Sequence, residues 1–408
     1  MWYIAFLYVF IRMIQLIVIQ MSSVIPLHAP FTFAKSYDSA WSLFFTIWAN
    51  FDGVHYVNIA RDGYVQFEQA FFPLFPLMLR LSFTRTPEYV VLFGMVISSV
   101  SLWFFFYTIL LFFKETDGLN RRYFSWFLVF YLIFPTSFFL SALYTESFFL
   151  LLFSLYLLFG YRRKYLFACI VGVLLGLTRL NGLFAIVSML YVITLHDYHL
   201  KKGQGMAKSL KERIKRGLDV TFGSLQTLFL APEKWKMFAV LLSPLFGFGA
   251  YAAYLWYTTG DPLFFFHSQP AFGANRSTSL VLLPQVYFRY IKILLTADIT
   301  FQYFISLVEL FIMTGVLAAV IYDIFIAPHA SKQYQVRLGI ALFSGLNVFV
   351  PSLTGTFSSI PRYALICLTL FMVFAEIRNK YVKGMLMFVF CLLQILFFAF
   401  FSRGYFVS

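Results

Sequence analysis

Long apolar runs recur along the whole chain, and they limit its fold more than any other feature of the sequence. About 20 apolar residues in a helix cross the hydrocarbon core of a bilayer. Hydrophobic residues make up 61% of the chain and charged residues 12%, whereas a soluble domain is about a quarter charged. The sequence therefore predicts an all-α polytopic membrane protein, one domain over 1–408 with about eleven transmembrane helices. The runs lie at about 3–21, 89–113, 123–141, 144–160, 165–179, 181–196, 237–257, 301–327, 338–351, 363–377 and 384–402.

Basic residues are distributed unevenly between the loops that join these runs. One set of alternate loops carries about twice as many Lys and Arg as the other, and the richer set is expected in the cytoplasm. The loop at 197–236 is then cytoplasmic, whereas the loops at 22–88 and 258–300 are external or lumenal. The net charge of +14 is explained by this topology without nucleic acid as a partner.

The cytoplasmic loop contains a basic amphipathic pattern. Leu210, Ile214 and Leu218 recur every four residues, with lysines and arginines between them. This spacing is typical of a helix that lies on anionic lipid headgroups. A solvated loop that only sets the topology is the alternative interpretation.

Polar clusters fall on the predicted external face, in segments far apart in sequence. Scattered polar groups would appear on both faces, so their common side predicts one composite site at the outer membrane surface. The first cluster lies in the first external loop, which we expect at the membrane interface. The candidate residues are Asp52 and His55, then Glu146, then Arg179 and Asn181, then Asp261 and His267, and finally Arg362 and Tyr363.

These residue types suit sugar transfer from a lipid phosphate. An interfacial acid can accept a proton from an attacking hydroxyl, and an arginine can hold a phosphate and stabilise its charge as it leaves. Aromatic residues and prolines can line a groove for an isoprenoid chain and a sugar ring. Because the phosphate leaves readily, the protein chiefly needs a base and an anion-binding group.

Most of these candidates also have a purely structural explanation. Asp52 and Asp261 adjoin glycines in turn-like sequences, and an acid such as Glu146 is favoured at the start of a helix. Arg179 and Arg362 lie at the ends of apolar runs, where arginines extend to the headgroups. His55 and His267 have the alternative of a structural role.

The sequence gives no indication of a metal or another cofactor. The three cysteines all lie in apolar runs, which argues against a disulfide framework and a cysteine zinc site. No Asp-x-Asp motif is present, and no set of His, Cys and acidic residues has metal-ligand spacing. A divalent metal is therefore not indicated, and no cofactor is required.

The order of the clusters resembles the PIG-V-like (GPI mannosyltransferase 2-like) family of GT-C glycosyltransferases. The matching blocks are Phe51-Asp52-Gly53-Val54-His55-Tyr56, Ile59-Ala60-Arg61-Asp62-Gly63-Tyr64, AFFPLFP at 70–76, FPTSFFLSALYTES at 134–147, LTRLNG at 177–182, GDP at 260–262 and PRY at 361–363. One departure is Phe51, where the family usually has tryptophan, and a second is the short chain. Both bear more on the acceptor than on the chemistry.

The resemblance implies a GT-C fold with an external active site and a polyprenyl- or dolichyl-phosphate-mannose donor. It implies inversion at the anomeric carbon, with Asp52 as the general base and Glu146, Arg179 and Arg362 as sugar or phosphate ligands. The acceptor is then a lipid or a glycan, and a partner subunit is compatible with this activity. The compact chain favours the plasma membrane of a prokaryote over the endoplasmic reticulum membrane.

Two other functions are compatible with a polytopic chain. A transporter or flippase of lipid-linked sugars usually shows repeat symmetry and polar helices at the membrane midplane. Here no repeat is evident, and the charged residues concentrate at the predicted span ends. A non-catalytic membrane scaffold is the other alternative, and the presence of Asp52 argues against it.

Overall fold

A computed structural model describes residues 2–28, 32–33, 44–117, 121–197, 209–268, 277, 279–326 and 331–407. Within these residues the chain is helical and has no β-strand. Parts of the three predicted loops lie outside the described residues: 29–31 and 34–43 of the first, 198–208 of the second, and 269–276 and 278 of the third.

Among the described residues, five helices are long and apolar enough to cross a bilayer, and the chain is an all-α membrane protein. The five are Trp2–Val24, Pro87–Thr116, Lys234–Thr259, Phe301–Ile326 and Lys380–Ser402. In chain order the α-helices are α1 (Trp2–Met21), α2 (Asp52–Asp62), α3 (Leu74–Leu79), α4 (Pro87–Asp117), α5 (Arg121–Ile133), α6 (Glu146–Tyr161), α7 (Tyr165–Thr178), α8 (Ala185–Ile193), α9 (Leu210–Leu230), α10 (Lys234–Thr259), α11 (Phe264–His267), α12 (Leu283–Thr296), α13 (Phe301–Ile321), α14 (Ser331–Ser352), α15 (Ile360–Tyr363), α16 (Leu368–Glu376) and α17 (Lys380–Ser402).

Several predicted apolar runs are shorter helices than expected. The run at 123–141 is helical only to Ile133, and a 3₁₀ turn follows at Ser137–Leu140. Pro135 lies between them; it lacks an N–H donor and disfavours helical backbone at the residue before it. The run at 363–377 is also divided, because α15 and the 3₁₀ turn Ala364–Ile366 precede α16.

The block AFFPLFP at 70–76 contains two prolines, and yet an α-helix begins within it. Pro73 is the residue before α3, and Pro76 is its third residue. The first N–H groups of a helix have no partner within it, so a proline there loses no hydrogen bond. Phe75 is fully buried, and it anchors α3 under α2, where its ring contacts that of Tyr56.

Helices α7 and α10 pack unusually closely because glycines line their contact. A Cβ atom added at Gly176 would lie 2.0 Å from the carbonyl oxygen of Pro244. One added at Gly247 would lie 2.0 Å from the carbonyl oxygen of Val173. Small residues where two membrane helices meet let the helices approach closely and gain van der Waals contact.

Aromatic rings pack between α5 and α16, and backbone groups near the end of α17 bind the segment that precedes α2. The rings of Tyr131 on α5 and Phe371 on α16 stack with centroids 3.9 Å apart. The side-chain amide of Asn50 donates to the backbone carbonyl of Phe401 over 2.8 Å. The N–H of His28 donates to the carbonyl of Arg403 over 2.8 Å. These bonds hold the segment before α2 against the end of α17.

Candidate active site

Four charged side chains from distant parts of the sequence meet in one charge cluster: Asp52, Glu146, Arg179 and Arg362. The Nη1 atom of Arg362 lies 2.6 Å from Oδ2 of Asp52, and its Nε lies 3.5 Å from Oε1 of Glu146. Nη1 of Arg179 donates to the same Glu146 oxygen over 3.0 Å. Acids and arginines therefore alternate, and the formal charges of the four side chains cancel.

Strained backbone precedes two of the helices that supply this cluster. Phe51, with a φ of 60°, comes directly before Asp52 at the start of α2, and Ser359, with a φ of 70°, comes directly before α15, which carries Arg362. Residues other than glycine rarely adopt such angles. Strain of this kind persists where the surroundings impose it, and it concentrates at functional sites.

Aromatic rings enclose the arginines of the cluster. The guanidinium of Arg362 lies 5.4 Å from the ring centroid of Tyr144 and 5.6 Å from that of Tyr363, and Arg179 lies 5.5 Å from the same Tyr363 ring. Cation–π contacts of this length add attraction where water is excluded. Burial alone would lower the pKa of Arg362, but Asp52 and Glu146 raise that pKa well above its ordinary value. The guanidinium therefore stays charged.

The two acids of the cluster differ in their access to a ligand. The side chain of Glu146 is 1% exposed, whereas that of Asp52 is 27% exposed. Oε2 of Glu146 is buried and has no hydrogen-bond partner among the described residues. Asp52 lines a cavity of about 860 Å³, a size typical of ligand pockets. Asp52 is thus the acid that a substrate in the cavity can reach.

The cavity is built from the two ends of the chain and from two helices of its second half. Its lining includes His28, Phe51, Asp52, His55, Arg289, Tyr290, Ile293, Ala297, Asp298, Thr300, Gln302, Tyr303, Ser306, Glu309, Gly355, Thr356, Ser358, Gly404 and Phe406. His55 lies one turn after Asp52 on α2. Its Nδ1 atom is 3.2 Å from Oε1 of Glu68, and its ring stacks on Phe71 with centroids 4.9 Å apart.

Of the predicted substrate residues only His55 lines the described cavity. Glu146, Arg179 and Arg362 belong to the charge cluster, and Tyr363 lies against its arginines. The remaining three have partners elsewhere. Nδ2 of Asn181 donates to Oδ1 of Asn347 over 2.6 Å. Nδ1 of His267 lies 2.6 Å from Oδ2 of Asp261. The other oxygen of Asp261, Oδ1, caps a turn by accepting from the Leu263 N–H. The hydrogen bond with His267 lowers the pKa of Asp261. This exposed pair stabilises the turn after α10, as the Gly-Asp-Pro sequence allows.

Sequence reasoning missed the polar groups of the later helices. Glu309 lies inside the apolar helix α13, and Arg12 lies inside α1, so some charged residues lie within the long apolar helices and not at their ends. Arg289 lines the cavity and donates from Nη1 to the carbonyl of Gly355 over 3.1 Å. A single carboxylate in a long apolar run was the available signal for Glu309.

No metal site is apparent in the part of the chain that the structure describes, where no group of three or more His, Cys, Asp or Glu side chains is placed to hold an ion. Comparison of the chain with protein-family models, curated proteins and solved structures finds no match. The family resemblance of the motifs therefore remains a hypothesis. What the chain does has to be inferred from the charge cluster and the cavity.

Proposed function

We propose that the chain is an inverting mannosyltransferase with a GT-C fold and about eleven membrane helices. It takes mannose from a polyprenyl- or dolichyl-phosphate-mannose donor and transfers it to a lipid or glycan acceptor. The reaction takes place on the external or lumenal face. Asp52 acts as the general base.

The observation that carries this proposal is the position of Asp52 between Arg362 and the cavity. Arg362 engages Oδ2 of Asp52, which leaves Oδ1 to accept a proton from a hydroxyl in the cavity. A general base must lie within hydrogen-bond reach of the proton that it removes. Glu146, the other acid of the cluster, is too deeply buried for that task.

The reaction is a single displacement at the anomeric carbon. The acceptor oxygen forms a bond to C1 of the sugar while the bond between C1 and the phosphate oxygen breaks, with inversion at C1. The hydroxyl proton passes to Asp52, and the bonding electron pair leaves with the lipid phosphate. Arg362 positions Asp52 and neutralises its charge before the proton arrives.

Arg289 is a better phosphate ligand than the arginines of the charge cluster. Arg179 and Arg362 are already paired with carboxylates, and binding a phosphate would require breaking those pairs. Arg289 lines the cavity, and among the described residues its side chain hydrogen-bonds only to a backbone carbonyl. An arginine with free donors can bind a phosphate through two parallel hydrogen bonds.

The proposal also includes the membrane in which the chain lies and the contact of α9 with that membrane. Leu210, Leu218 and Phe222 are exposed along α9, and Lys211 and Lys215 are exposed between them. Such a helix suits anionic headgroups at the cytoplasmic surface. A prokaryotic plasma membrane, with or without a partner subunit, is the setting that we propose.

The test is transfer of radiolabelled mannose from polyprenyl-phosphate mannose in membranes that contain the protein. Asp52→Asn should lower the rate by about 10²- to 10⁴-fold, the usual contribution of a general base. Asp62→Asn is the matched control, since Asp62 ends the same helix and is exposed. Equal activity of the wild type and Asp52→Asn would refute the role of Asp52.

Transport of a lipid-linked sugar is the second candidate, and Glu309 is the observation that favours it. Ionisable residues inside membrane helices often mark substrate or proton pathways. If labelled donor changes leaflets in reconstituted vesicles and no labelled product forms, the transport function replaces the transferase. If the protein neither moves nor consumes the donor, a scaffold role is favoured.

A further inference from the structure

A polar stripe crosses the otherwise apolar helix α13 on the side that faces the cavity. Gln302, Ser306 and Glu309 all line the cavity, and their spacing of four and three residues places them on one face of a helix. The helix is one of the five long apolar helices among the described residues, with a mean hydropathy of 2.4 over Phe301–Ile326. Three polar side chains on one face of such a helix point to a polar ligand.

Glu309 is the member of the stripe with the highest cost of burial, and it has no cationic partner among the described residues. Its residue is 2% exposed. Asp52 and Asp323, by contrast, each pair with an arginine. The contact of Glu309 is with Tyr290, whose hydroxyl donates to Oε2 over 2.6 Å. Burial of an acid is costly, and here no ion pair among the described residues offsets that cost, which indicates another role for Glu309.

The hydrogen bonds of Tyr290 leave one oxygen of Glu309 to a ligand. The Phe357 N–H donates to the Tyr290 hydroxyl over 2.9 Å, and the Thr356 hydroxyl lies 3.1 Å away. A tyrosine hydroxyl has one proton to give, and here Glu309 receives it. Oε1 of Glu309 has no such partner among the described residues, and the residue borders the cavity.

We propose that Gln302, Ser306 and Glu309 bind the hydroxyl groups of a hexopyranose in the cavity. Carboxylate, amide and hydroxyl groups accept and donate the hydrogen bonds that a sugar ring offers, and Tyr303 and Phe51 add aromatic surface to the same cavity. The inference rests on the proposed function, because it places the sugar in the cavity that Asp52 borders. The sugar is either the transferred mannose or a sugar of the acceptor.

Direct binding tests the inference without requiring transfer. Purified full-length protein in lipid nanodiscs is titrated with methyl α-mannopyranoside and methyl α-glucopyranoside, and binding is followed by saturation-transfer NMR. Glu309→Gln should weaken binding of at least one sugar by about tenfold or more, as for loss of a charged hydrogen bond. Ser306→Ala should weaken it less. Tyr287→Phe is the control, since Tyr287 lies on α12 outside the described lining and pairs with Thr314.

Kinetics with the same variants identify the source of the sugar. Loss of a contact that is equal in the ground and transition states raises KM and leaves kcat unchanged. A rise in the KM for the lipid-phosphate donor assigns the stripe to the transferred sugar. A rise in the KM for the acceptor assigns it to the acceptor.

The outcomes separate this inference from the proposed function. Sugar binding that weakens in Glu309→Gln supports the hydroxyl site even if no transfer is ever observed. Transfer by the wild type with unchanged sugar binding and unchanged KM values in Glu309→Gln and Ser306→Ala overturns the site and leaves the transferase intact. Failure of the wild type to bind either sugar also overturns it. If Glu309→Gln does not fold, as judged by gel filtration, Ser306→Ala decides.

Discussion

Removing the charge of Glu146 should destabilise the protein far more than removing an exposed charge. Glu146 is the acid that contacts both arginines of the charge cluster. Glu146→Gln leaves Arg179 with a 3.4 Å contact to the Thr145 hydroxyl and nearby aromatic rings. Loss of one partner of a buried ion pair costs about 3–5 kcal/mol. Arg179→Gln should cost a similar amount, because it leaves the buried Glu146 carboxylate with only the longer 3.5 Å contact to Arg362.

The double variant Glu146→Gln/Arg179→Gln should cost less than the two single variants together. The cluster is neutral again when both charges are absent, and Asp52 keeps Arg362. Contacting groups of this kind couple by about 0.5–3 kcal/mol. The free energy of unfolding is measured for the purified protein by titration with SDS in mixed micelles, for the wild type and all three variants.

The exposed pair Glu233 and Lys236 provides the matched control. Their side chains are 37% and 61% exposed and lie 2.7 Å apart. Exposed pairs contribute little because water and salt screen them, so Glu233→Gln should leave the unfolding transition unchanged. The reasoning would be refuted if the costs at Glu146 and Arg179 were additive, or if neither variant differed from this control.

Three further predictions follow from single contacts. Gly176→Ala should destabilise the protein by separating α7 from α10, whereas Gly249→Ala on α10 should be neutral or stabilising by up to about 1 kcal/mol, since nothing lies within 4 Å of its added Cβ; SDS unfolding measures both. Arg289→Gln should raise the KM for the lipid-phosphate donor by about 10-fold or more, and Lys292→Gln on the same helix should not. Ser209→Ala removes a capping box at α9 and should cost about 1 kcal/mol of local helix stability, seen as faster amide exchange at the start of that helix.

The sequence predicted the identity of the clustered charges better than their arrangement. Asp52, Glu146, Arg179 and Arg362 were recognised as rare charges beside apolar runs, and the structure brings all four together. Which acid pairs with which arginine depends on the packing of segments up to 310 residues apart, and no local pattern encodes that packing. Asp261 and His267 were placed in the same predicted site, yet their local turn chemistry gives them each other as partners.

Helix positions were predictable from apolar runs, but helix lengths were not. Each predicted run contains a helix, because burial in lipid or protein favours any long apolar segment. The lengths depend on prolines such as Pro135 and on 3₁₀ turns, which interrupt a run without changing its hydropathy. Glu309 was missed for the related reason that one carboxylate hardly changes the average over a run.

The members of the charge cluster are synthesised at different times, because the ribosome makes the chain from its N-terminus. Glu146 and Arg179 are 33 residues apart, and they can pair as soon as α7 has entered the membrane. Asp52 is made earlier than either, but its partner Arg362 is made 310 residues after it. A product that stops before α15 therefore carries Asp52 without its partner, so the complete cluster requires synthesis through α15.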